Sequence, residues 1–357
     1  MAEVLKPTPE NIRRAAEALK AGLVVGMPTE TVYGLAGGLF DESALARIFS
    51  VKERPTFDPL IAHVAWTKRP ADFVGALADI GLIDPTLLSS QARARASTLL
   101  QAFWPGPFTL VLPKSPGVPD LATSALPSVA IRMPSHPVAR ALILAAGTPL
   151  AAPSANRFGR ISPTEARHVE LELGSRIELI LDGGPCEVGV ESTVLAIHPD
   201  GKMELLRPGG TALRQIEAVA ACAVTLRDSQ NSGPSPQIPG ASPGMLESHY
   251  APRKGLALWP PALPVERALQ NPGFLAFQGT PREANERFTA RYGVAPREVR
   301  ILSEKGSTLE AARNLFTMLR QLDDSAADFL IFEECDSDLD GLGHAIRDRL
   351  KRASAKR

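Results

Sequence analysis

Apolar positions along the first 210 residues alternate between helical spacing and short continuous runs. Thr8 followed by Pro9 predicts a helix start, and the apolar residues that follow at helical spacing are Ile12, Ala15, Ala16 and Leu19. A second helix is predicted from Asp41 onward. Buried strands are predicted from short apolar runs at residues 23–28, 60–64, 110–112, 129–131, 179–181 and 193–197. The alternation of the two patterns predicts an α/β domain.

The composition changes between residues 228 and 243, where Ser, Pro and Gly dominate and too little apolar surface is present to form a core. Beyond this stretch, Ser307 and Glu310 form a capping box for a predicted helix that reaches Leu322. Strands are predicted from apolar runs at residues 273–277, 299–302 and 329–332. We therefore predict three segments: a first α/β domain at 1–215, a linker at 216–254 and a smaller α/β domain at 255–357.

The composition argues against several classes of protein. The 39 basic residues balance the 39 acidic residues, so no global field draws the chain to nucleic acid or to an anionic membrane. Cys186, Cys222 and Cys335 lie far apart without a C-x-x-C pair, which argues against a disulfide framework and a thiolate zinc site. No segment is apolar for long enough to predict a signal peptide or a membrane span. We therefore expect a protein of the reducing cytoplasm.

Several widespread catalytic motifs do not occur in the sequence. It contains no Walker A motif, no G-x-G-x-x-G after a strand, no G-x-S-x-G and no H-E-x-x-H. The six histidines are never three or four residues apart, so a histidine metal site would require ligands from distant segments. The familiar nucleotide-binding and hydrolase motifs therefore do not explain this chain.

The sequence offers instead a set of polar residues at the ends of apolar runs, each flanked by Pro or Gly that fixes the backbone. These segments are residues 28–35, 52–63, 104–109, 132–137, 153–164, 189–194 and 207–209. Their hydroxyl, amide and guanidinium groups predict an anion-binding cradle, because arginine presents five donors in a fork that matches carboxylate or phosphate. Polar residues just past a strand also lie where α/β sheets bind ligands.

Each of these residues also has an interpretation that involves no ligand. Threonines and Ser-Ala-Asn runs are common in turns, a basic pair is common at a helix end, and a histidine in an apolar strand is often buried in the core. These alternatives apply to Thr29 and Thr31, to Lys52 and Arg54, to residues 154–156, to His63, and to His136 as a helix cap. Only the number of such segments and their joint arrangement favour a binding site.

In order and spacing, these segments resemble the YrdC-domain threonylcarbamoyl-AMP synthases. The matching segments are PTETVYGL at 28–35, KERP at 52–55, WPGPFT at 104–109, VAIRMPSHP at 129–137, PSAN at 153–156, GVESTV at 189–194 and RPGG at 207–210. HYAP at 249–252 and GLGHAIRDRLKRAS at 341–354 resemble the long form of the family, which carries a C-terminal extension domain. The resemblance covers nearly the whole chain.

The resemblance implies a fold and a reaction. The fold is a twisted mixed sheet with an open concave cavity, followed by a smaller Rossmann-like α/β domain. The reaction is that of a nucleotidyltransferase, which forms L-threonylcarbamoyl-AMP and pyrophosphate from L-threonine, bicarbonate and ATP with Mg²⁺. A separate transferase then uses the adenylate to modify the adenosine next to the anticodon of tRNA. We expect this protein itself to bind nucleic acid weakly or not at all.

The resemblance also assigns site residues by position. For L-threonine these are Thr31, His63, Arg132, Ala152 and Ser192. For ATP they are Arg54, Ser128, Ser154, Ser162, Arg207 and Tyr250. Lys52 and Arg54 are expected to supply the positive charges for catalysis. The linker, residues 216–254, is expected to act as a lid that brings Tyr250 over the nucleotide.

Two positions depart from the family pattern, which has Gly and Asn where this chain has Glu53 and Asp58. An Asn amide donates to a phosphate, whereas an ionised Asp cannot. We therefore hypothesise that Asp58, counted with the ATP site, either binds the Mg²⁺ of the nucleotide or pairs with Lys52 or Arg54.

Two further functions stay open at this point. One is a double-stranded RNA-binding module that uses the basic residues between Arg347 and Arg357, although these residues also fit a solvated helix end. The other is a nucleotide-sensing regulator without turnover. A carbamoyl-phosphate-linked maturation enzyme with the same domain is disfavoured, because such chains carry zinc-finger cysteines that this sequence lacks.

Overall fold

The structure is a computed structural model that describes residues 1–226, 249–259, 270–335, 338 and 341–355. Most of the predicted linker, at residues 227–248, lies outside the described residues, and so does most of the lid that we expect there. No helix within the described ranges is long and apolar enough to cross a membrane.

A large mixed sheet organises the described residues before 227. Its eleven strands are β1 (Glu3–Leu5), β2 (Val25–Met27), β3 (Gly34–Gly38), β4 (Ile61–His63), β5 (Phe108–Pro113), β6 (Ser128–Arg132), β7 (Leu150–Ala151), β8 (Leu179–Leu181), β9 (Thr193–Ile197), β10 (Met203–Arg207) and β11 (Thr225–Leu226). They lie in the order β1-β8-β2-β3-β7-β4-β6-β5-β9-β10-β11. The central strand β6 is parallel to β4 and antiparallel to β5, so the mixed sheet that we predicted is confirmed.

Helices pack on this sheet, and polar side chains begin several of them. They are α1 (Pro9–Lys20), α2 (Glu42–Lys52), α3 (Phe73–Asp79), α4 (Ser90–Phe103), α5 (Asp120–Thr123), α6 (Pro137–Ala146), α7 (Ala166–Leu173) and α8 (Leu213–Ala220), with a 3₁₀ turn at Pro85–Leu87. Thr8 caps α1 by accepting from the backbone N–H of Asn11. His136 caps α6 by accepting from the Val138 N–H at 3.2 Å, which confirms the cap interpretation of this histidine.

The register of the central strands brings predicted site residues into one row. His63 ends β4 and Arg132 ends β6, and the two residues pair across these parallel strands. Arg132 also pairs with Thr109 of β5. Paired residues on neighbouring strands are about 5 Å apart and point to the same face. These three side chains therefore lie together on one face of the sheet, where β4 and β6 end.

A second, smaller sheet follows residue 254. Its four strands are β12 (Gly255–Leu258), β13 (Pro272–Gln278), β14 (Glu298–Ser303) and β15 (Phe329–Phe332), all parallel and in the order β12-β15-β13-β14. Among the described residues of this unit, three helices accompany the sheet, α9 (Pro281–Tyr292), α10 (Thr308–Asp324) and α11 (Leu342–Ser354). Helix α10 buries Ala312, Leu315 and Leu319, whereas Leu309 in its first turn is 54% exposed. The smaller α/β unit is therefore confirmed.

A shared apolar core joins the two units. Val32, Ile161 and Val190 of the first unit lie in the same buried cluster as Phe316 and Leu319 of α10. Polar contacts cross this interface at Thr164–Thr317 (3.0 Å), Arg320–Glu172 (3.1 Å) and Arg313–Glu187 (3.0 Å). The interface therefore resembles a continuous core more than a loose domain contact.

The first sheet extends past the predicted domain boundary. Residue 215 lies inside α8, whose Ile216 is buried in the main core of the first unit. Strand β11 then pairs with β10 as the last strand of the sheet. The division at residues 215 and 254 stays a prediction, and the described strands place the first unit's last element at Leu226.

The close approach of Gly189 to helix α10 predicts a substitution that weakens the packing between the two units. Gly189 has a φ of +78°, and a Cβ there would overlap the Arg313 Cα and lie 2.5 Å from the Ala312 carbonyl oxygen. Gly147 has a similar φ of +73° with nothing within 4 Å of an added Cβ. Both alanine variants carry the left-handed backbone strain of about 1–2 kcal/mol, and Gly189→Ala adds about 1–3 kcal/mol of overpacking.

Urea denaturation of the two variants measures this difference. We expect Gly189→Ala to lower the free energy of unfolding clearly more than Gly147→Ala does. Equal losses in the two variants would contradict the close packing of α10 against residue 189.

Candidate active site

One cavity collects most of the polar side chains that the sequence analysis singled out. It lies at the ends of β4 and β6 and is bordered by residues from the segment between β2 and β3. Its lining consists of Thr29, Thr31, Val32, Gly34, Arg54, Ile61, His63, Arg132, Ala152, Pro153, Ser154, Glu191, Ser192, Arg207, His249 and Tyr250. Three guanidinium groups and several hydroxyls therefore face one volume, as an anion-binding cradle requires.

Arg132 is held at three points around its guanidinium group. Its Nη1 donates to Thr31 Oγ1 at 2.7 Å and its Nε to the Gly106 carbonyl at 3.3 Å, while its Nη2 lies 2.7 Å from Glu30 Oε1. Burial alone would raise the pKa of Glu30, but the charge of Arg132 holds this pKa below its usual value. Within the described part of the chain, these contacts take three of the five N–H donors, and two are left for a ligand.

His63 is a neutral ring beside Arg132. Its Nδ1 lies 3.1 Å from the Ile61 carbonyl and therefore carries the proton. Burial, followed by the neighbouring charge of Arg132, lowers its pKa to about 3. His63 is both a buried strand residue, as its surroundings predicted, and a member of the cavity lining.

Arg54 faces the cavity while it is paired with Asp58. Its Nη2 lies 2.9 Å from Asp58 Oδ2 and donates to the Pro59 carbonyl at 2.8 Å. Both side chains of the pair are 4% exposed, so the two charges neutralise each other out of solvent. Of the two hypotheses for Asp58, the structure shows the pairing with Arg54.

Lys52 lies behind the cavity wall. Its Nζ donates to the carbonyls of Ser154 and Asn156, at 2.5 Å each. Burial, followed by the charge of Arg54, lowers its pKa well below the usual value. Lys52 therefore fixes the turn that carries Ser154, which differs from the charge inside the site that we expected.

Glu53 occupies a backbone position where glycine is the usual residue. It is the left-handed C-cap of α2, with a φ of 54°. Its exposed carboxylate pairs with Arg157 at 2.7 Å and Arg176 at 2.6 Å. The backbone conformation accounts for the Gly in the family pattern, and the Glu side chain makes surface contacts outside the cavity.

Ser192 connects two neighbouring strands at the cavity. Its Oγ lies 2.7 Å from the Thr109 hydroxyl. Arg207 donates to the Ser192 carbonyl through Nε and Nη2, at 3.2 and 3.0 Å, and Nη2 also reaches Ser192 Oγ at 3.3 Å. The start of β9 and the end of β10 are therefore tied together by a buried guanidinium group.

Tyr250 reaches the cavity from the chain that leads into the second unit. Its ring stacks on Phe316 of α10, with the centroids 5.6 Å apart, and it is 1% exposed. Burial, followed by the nearby Glu191, raises the pKa of Tyr250 to about 12, so its hydroxyl stays protonated. The structure thus places the HYAP segment against the same cavity as the arginines.

Four of the predicted site residues do not line this cavity: Lys52, Asp58, Ser128 and Ser162. Ser162 is buried and donates to Glu191 Oε1 at 2.6 Å, one layer behind the wall. Ser128 begins β6, whereas Arg132 ends it, and a rise of about 3.3 Å per residue separates the two by about 13 Å. Ser128 lines a different, mostly apolar cavity. These four residues therefore lie outside the lining of this cavity, and their contacts with substrate stay predictions.

The sequence analysis did not single out Glu30, Glu191 or His249. Glu30 holds Arg132, and the other two line the cavity. Each belongs to a segment that we quoted, but carboxylates beside a predicted anion site gave no reason to choose them. Physical chemistry could have identified the two acids, because a buried arginine needs a counter-charge. Glu30 is adjacent to Thr31 and Glu191 is adjacent to Ser192 in the sequence.

The described residues do not form a magnesium site of their own. Among them no three His, Cys, Asp or Glu side chains cluster as metal ligands would. The acids nearest the cavity face arginines, with Glu30 on Arg132 and Asp58 on Arg54.

The buried state of His63 predicts an acid-sensitive stability. Its pKa of about 3 in the folded chain lies below the ordinary histidine value of 6.5. The unfolded chain therefore binds the extra proton first, and stability that is present above pH 6.5 is lost as the pH falls toward 3. One such histidine contributes a slope of up to about 1.4 kcal/mol per pH unit.

Urea denaturation at pH 7, 6 and 5 tests this expectation. His63→Gln should reduce the pH dependence of the free energy of unfolding by about this slope, because glutamine does not titrate. The exposed Arg13→Gln on α1 serves as the control and should leave the slope unchanged. The same slope in all three proteins would contradict a buried, neutral His63.

Family models match both units of the chain. A model described as telomere recombination, of the Sua5, YciO and YrdC proteins, covers residues 17–209, and one described as the C-terminal domain of threonylcarbamoyl-AMP synthase covers residues 211–355.

Full-length relatives agree with these matches. The chain is 38% identical to the threonylcarbamoyl-AMP synthase of Bacillus subtilis, over 97% of this chain and 93% of the relative. It is 37% identical to that of Pyrococcus abyssi, over 97% and 94%. The crystal structure of P. abyssi Sua5 complexed with L-threonine matches with a TM-score of 0.79 and 34% identity, over 99% of this chain and 97% of that one. The chain therefore belongs to the threonylcarbamoyl-AMP synthase family, in its two-domain form.

Proposed function

We propose that the protein forms L-threonylcarbamoyl-AMP and pyrophosphate from L-threonine, bicarbonate and ATP, and thus acts as a nucleotidyltransferase. The product supplies a separate transferase that forms threonylcarbamoyladenosine in tRNA. One observation carries the proposal: three buried guanidinium groups, Arg54, Arg132 and Arg207, line one cavity together with hydroxyls. The names of the full-length relatives and the threonine bound to the P. abyssi protein support it.

The reaction brings several anionic groups into one site, so the site needs positively charged hydrogen-bond donors. The amine of threonine adds to bicarbonate, and water leaves to give a carbamate. A carbamate oxygen then attacks the α-phosphorus of ATP, and the bond to the β-phosphate oxygen breaks as pyrophosphate departs. The carboxylate, the carbamate and the triphosphate repel one another unless fixed donors lie between them.

We place threonine at the end of the cavity that lies beside the last residues of β4 and β6. The two remaining N–H donors of Arg132 suit a carboxylate, and Thr31 is oriented by its bond to Arg132. His63 adds no charge there because it is neutral. Ala152 donates its N–H to the Ile61 carbonyl at 3.1 Å, so its own carbonyl is the group that it offers to the amine. Ser192 contacts Thr109, which pairs with Arg132, and it also contacts Arg207.

We place ATP at the other end, where Arg54, Ser154, Arg207 and Tyr250 lie. The two arginines supply donors to the phosphates, and Lys52 acts through the turn that it anchors. Catalysis then rests on positioning and on charge stabilisation rather than on a protein nucleophile. Mg²⁺ is expected to enter with the nucleotide.

The structure does not favour the alternative of an RNA-binding module. In the described part of the basic stretch, Arg347 lies 3.1 Å from Glu334, Arg352 lies 2.9 Å from Asp348, and Arg349 is 1% exposed. These three charges are therefore neutralised or buried rather than presented to a phosphate backbone, whereas Lys351 is 59% exposed. Residues 356–357 lie outside the described range.

Pyrophosphate release with each substrate omitted in turn tests the proposed reaction. We expect release only when L-threonine, bicarbonate and ATP are all present, because the carbamate must form before the α-phosphorus is attacked. Release that does not depend on threonine or bicarbonate would contradict the proposal. ATP binding without any release would favour a nucleotide sensor.

A matched pair of variants ties this activity to the cavity. Arg132→Gln removes the donors for the threonine carboxylate and should raise the KM for threonine about 100-fold, since each charge-assisted bond contributes roughly 1.5–3 kcal/mol. Arg13→Gln, exposed on α1, should leave all kinetic constants unchanged.

Asp58→Asn tests whether this residue is a metal ligand. We expect the Mg²⁺ concentration for half-maximal pyrophosphate release to change by less than about twofold, because Asp58 faces Arg54 at 2.9 Å. The exposed Asp79→Asn at the end of α3 is the control. A rise of about tenfold or more in Asp58→Asn alone would make Asp58 a magnesium ligand.

A further inference from the structure

Helix α11 carries a guanidinium group from the second unit to the wall of the candidate active site. Arg349 is 1% exposed, although the sequence around it fits a solvated helix end. Its Nε donates to Glu191 Oε2 at 2.9 Å, and its Nη1 donates to the Pro208 carbonyl at 2.6 Å. Its guanidinium carbon lies 5.5 Å from the centroid of the Tyr250 ring. All three partners belong to segments that border the cavity.

Glu191 is clamped between the two units. Ser162 donates to its Oε1 at 2.6 Å, while Arg349 donates to its Oε2. Glu191 lines the cavity, where an unpaired carboxylate would repel a triphosphate. Arg349 therefore neutralises the charge of Glu191 beside the cavity.

Arg349 also holds the turn after β10. Pro208 follows Arg207, whose guanidinium group donates to the Ser192 carbonyl. Gly209 packs so closely that an added Cβ would overlap the peptide between residues 192 and 193. The segments 191–193 and 207–209 are therefore packed as one unit, and Arg349 contacts both.

Arg349 acts on the cavity through its neighbours. It does not line the cavity itself, and its Nη1 also lies 3.1 Å from Asp348. Burial lowers the pKa of an arginine, but the surrounding Tyr250, Glu191 and Asp348 outweigh it and raise the pKa of Arg349. Its Nε and Nη1 are thus bound to acceptors within the protein.

We propose that Arg349 is a positioning residue for the ATP end of the site, and that the second unit completes this end by holding Glu191, Pro208 and Tyr250. The identification of the ligand as ATP rests on the proposed function. Without the Arg349 contacts, Glu191 faces the triphosphate as an unpaired carboxylate, and Arg207 and Tyr250 lose their fixed orientation.

Arg320 of α10 offers a matched control, because it also joins the two units through a largely buried arginine. It lies 3.1 Å from Glu172, and the two side chains are 12% and 15% exposed. It does not border the candidate active site. Substitution of either arginine should weaken the packing between the two units. Only the substitution of Arg349 should also disturb the ATP end of the site.

Kinetics and binding of full-chain variants separate the two roles. The readouts are kcat and KM from pyrophosphate release, the Kd for ATP from calorimetry, and Tm. Arg349→Gln should lower kcat/KM for ATP by about tenfold or more while the KM for threonine stays within about threefold. Arg320→Gln should lower Tm but keep kcat/KM for ATP within about threefold of the wild type.

Two further variants test the mechanism. In the double variant R349Q/E191Q, part of the ATP affinity lost in R349Q should return, because a neutral amide no longer repels the phosphates. Arg349→Lys keeps the charge without the fork and should bind ATP better than Arg349→Gln. If Arg349→Gln does not fold, Arg349→Lys is compared with Arg320→Lys in its place.

The outcomes distinguish this proposal from the proposed function. Equal losses of kcat/KM for ATP in the Arg349 and Arg320 variants, or no recovery in the double variant, would overturn the positioning role. A wild-type protein that releases no pyrophosphate would overturn the proposed function instead. In that case the Kd for ATP decides, and an unchanged Kd in Arg349→Gln would overturn the positioning role.

Discussion

Arg132 is buried and always charged, and Glu30 makes this state stable by supplying a counter-charge 2.7 Å away. The same constraint recurs with Arg54 and Asp58 and with Arg349 and Glu191. Each pair holds a buried guanidinium group in a fixed orientation before any substrate arrives, and Arg54 and Arg132 line the cavity. An anionic substrate then meets donors that are already oriented, so little reorganisation is needed when charge develops.

The fold supplies these pairs from distant parts of the chain. Register places His63 beside Arg132, and the buried Lys52 fixes the turn that presents Ser154. The chain that leads into the second unit contributes Tyr250, and α11 of the second unit contributes the arginine that holds Glu191. Both units therefore form the site, and the apolar core that they share helps to fix the geometry of the site.

Much of this arrangement was predictable from sequence, because local patterns carry it. The stripe of α1, the strands at β4, β6 and β9 and the helix at α10 follow from apolar periodicity. The cavity-lining arginines and hydroxyls followed from the resemblance. The pairings did not, since Arg132 with Glu30 and Arg349 with Glu191 join residues about 100 or more positions apart. Arg349 in particular follows a helical pattern typical of a surface, and only tertiary contact buries it.

The account depends on threonine and nucleotide sharing one cavity, and a crystal structure of the protein with L-threonine and a non-hydrolysable ATP analogue measures this directly. We predict the threonine carboxylate within hydrogen-bond distance of Arg132 and the phosphates on Arg54 and Arg207 in the same volume. A nucleotide bound with its phosphates away from both Arg54 and Arg207 would contradict the account.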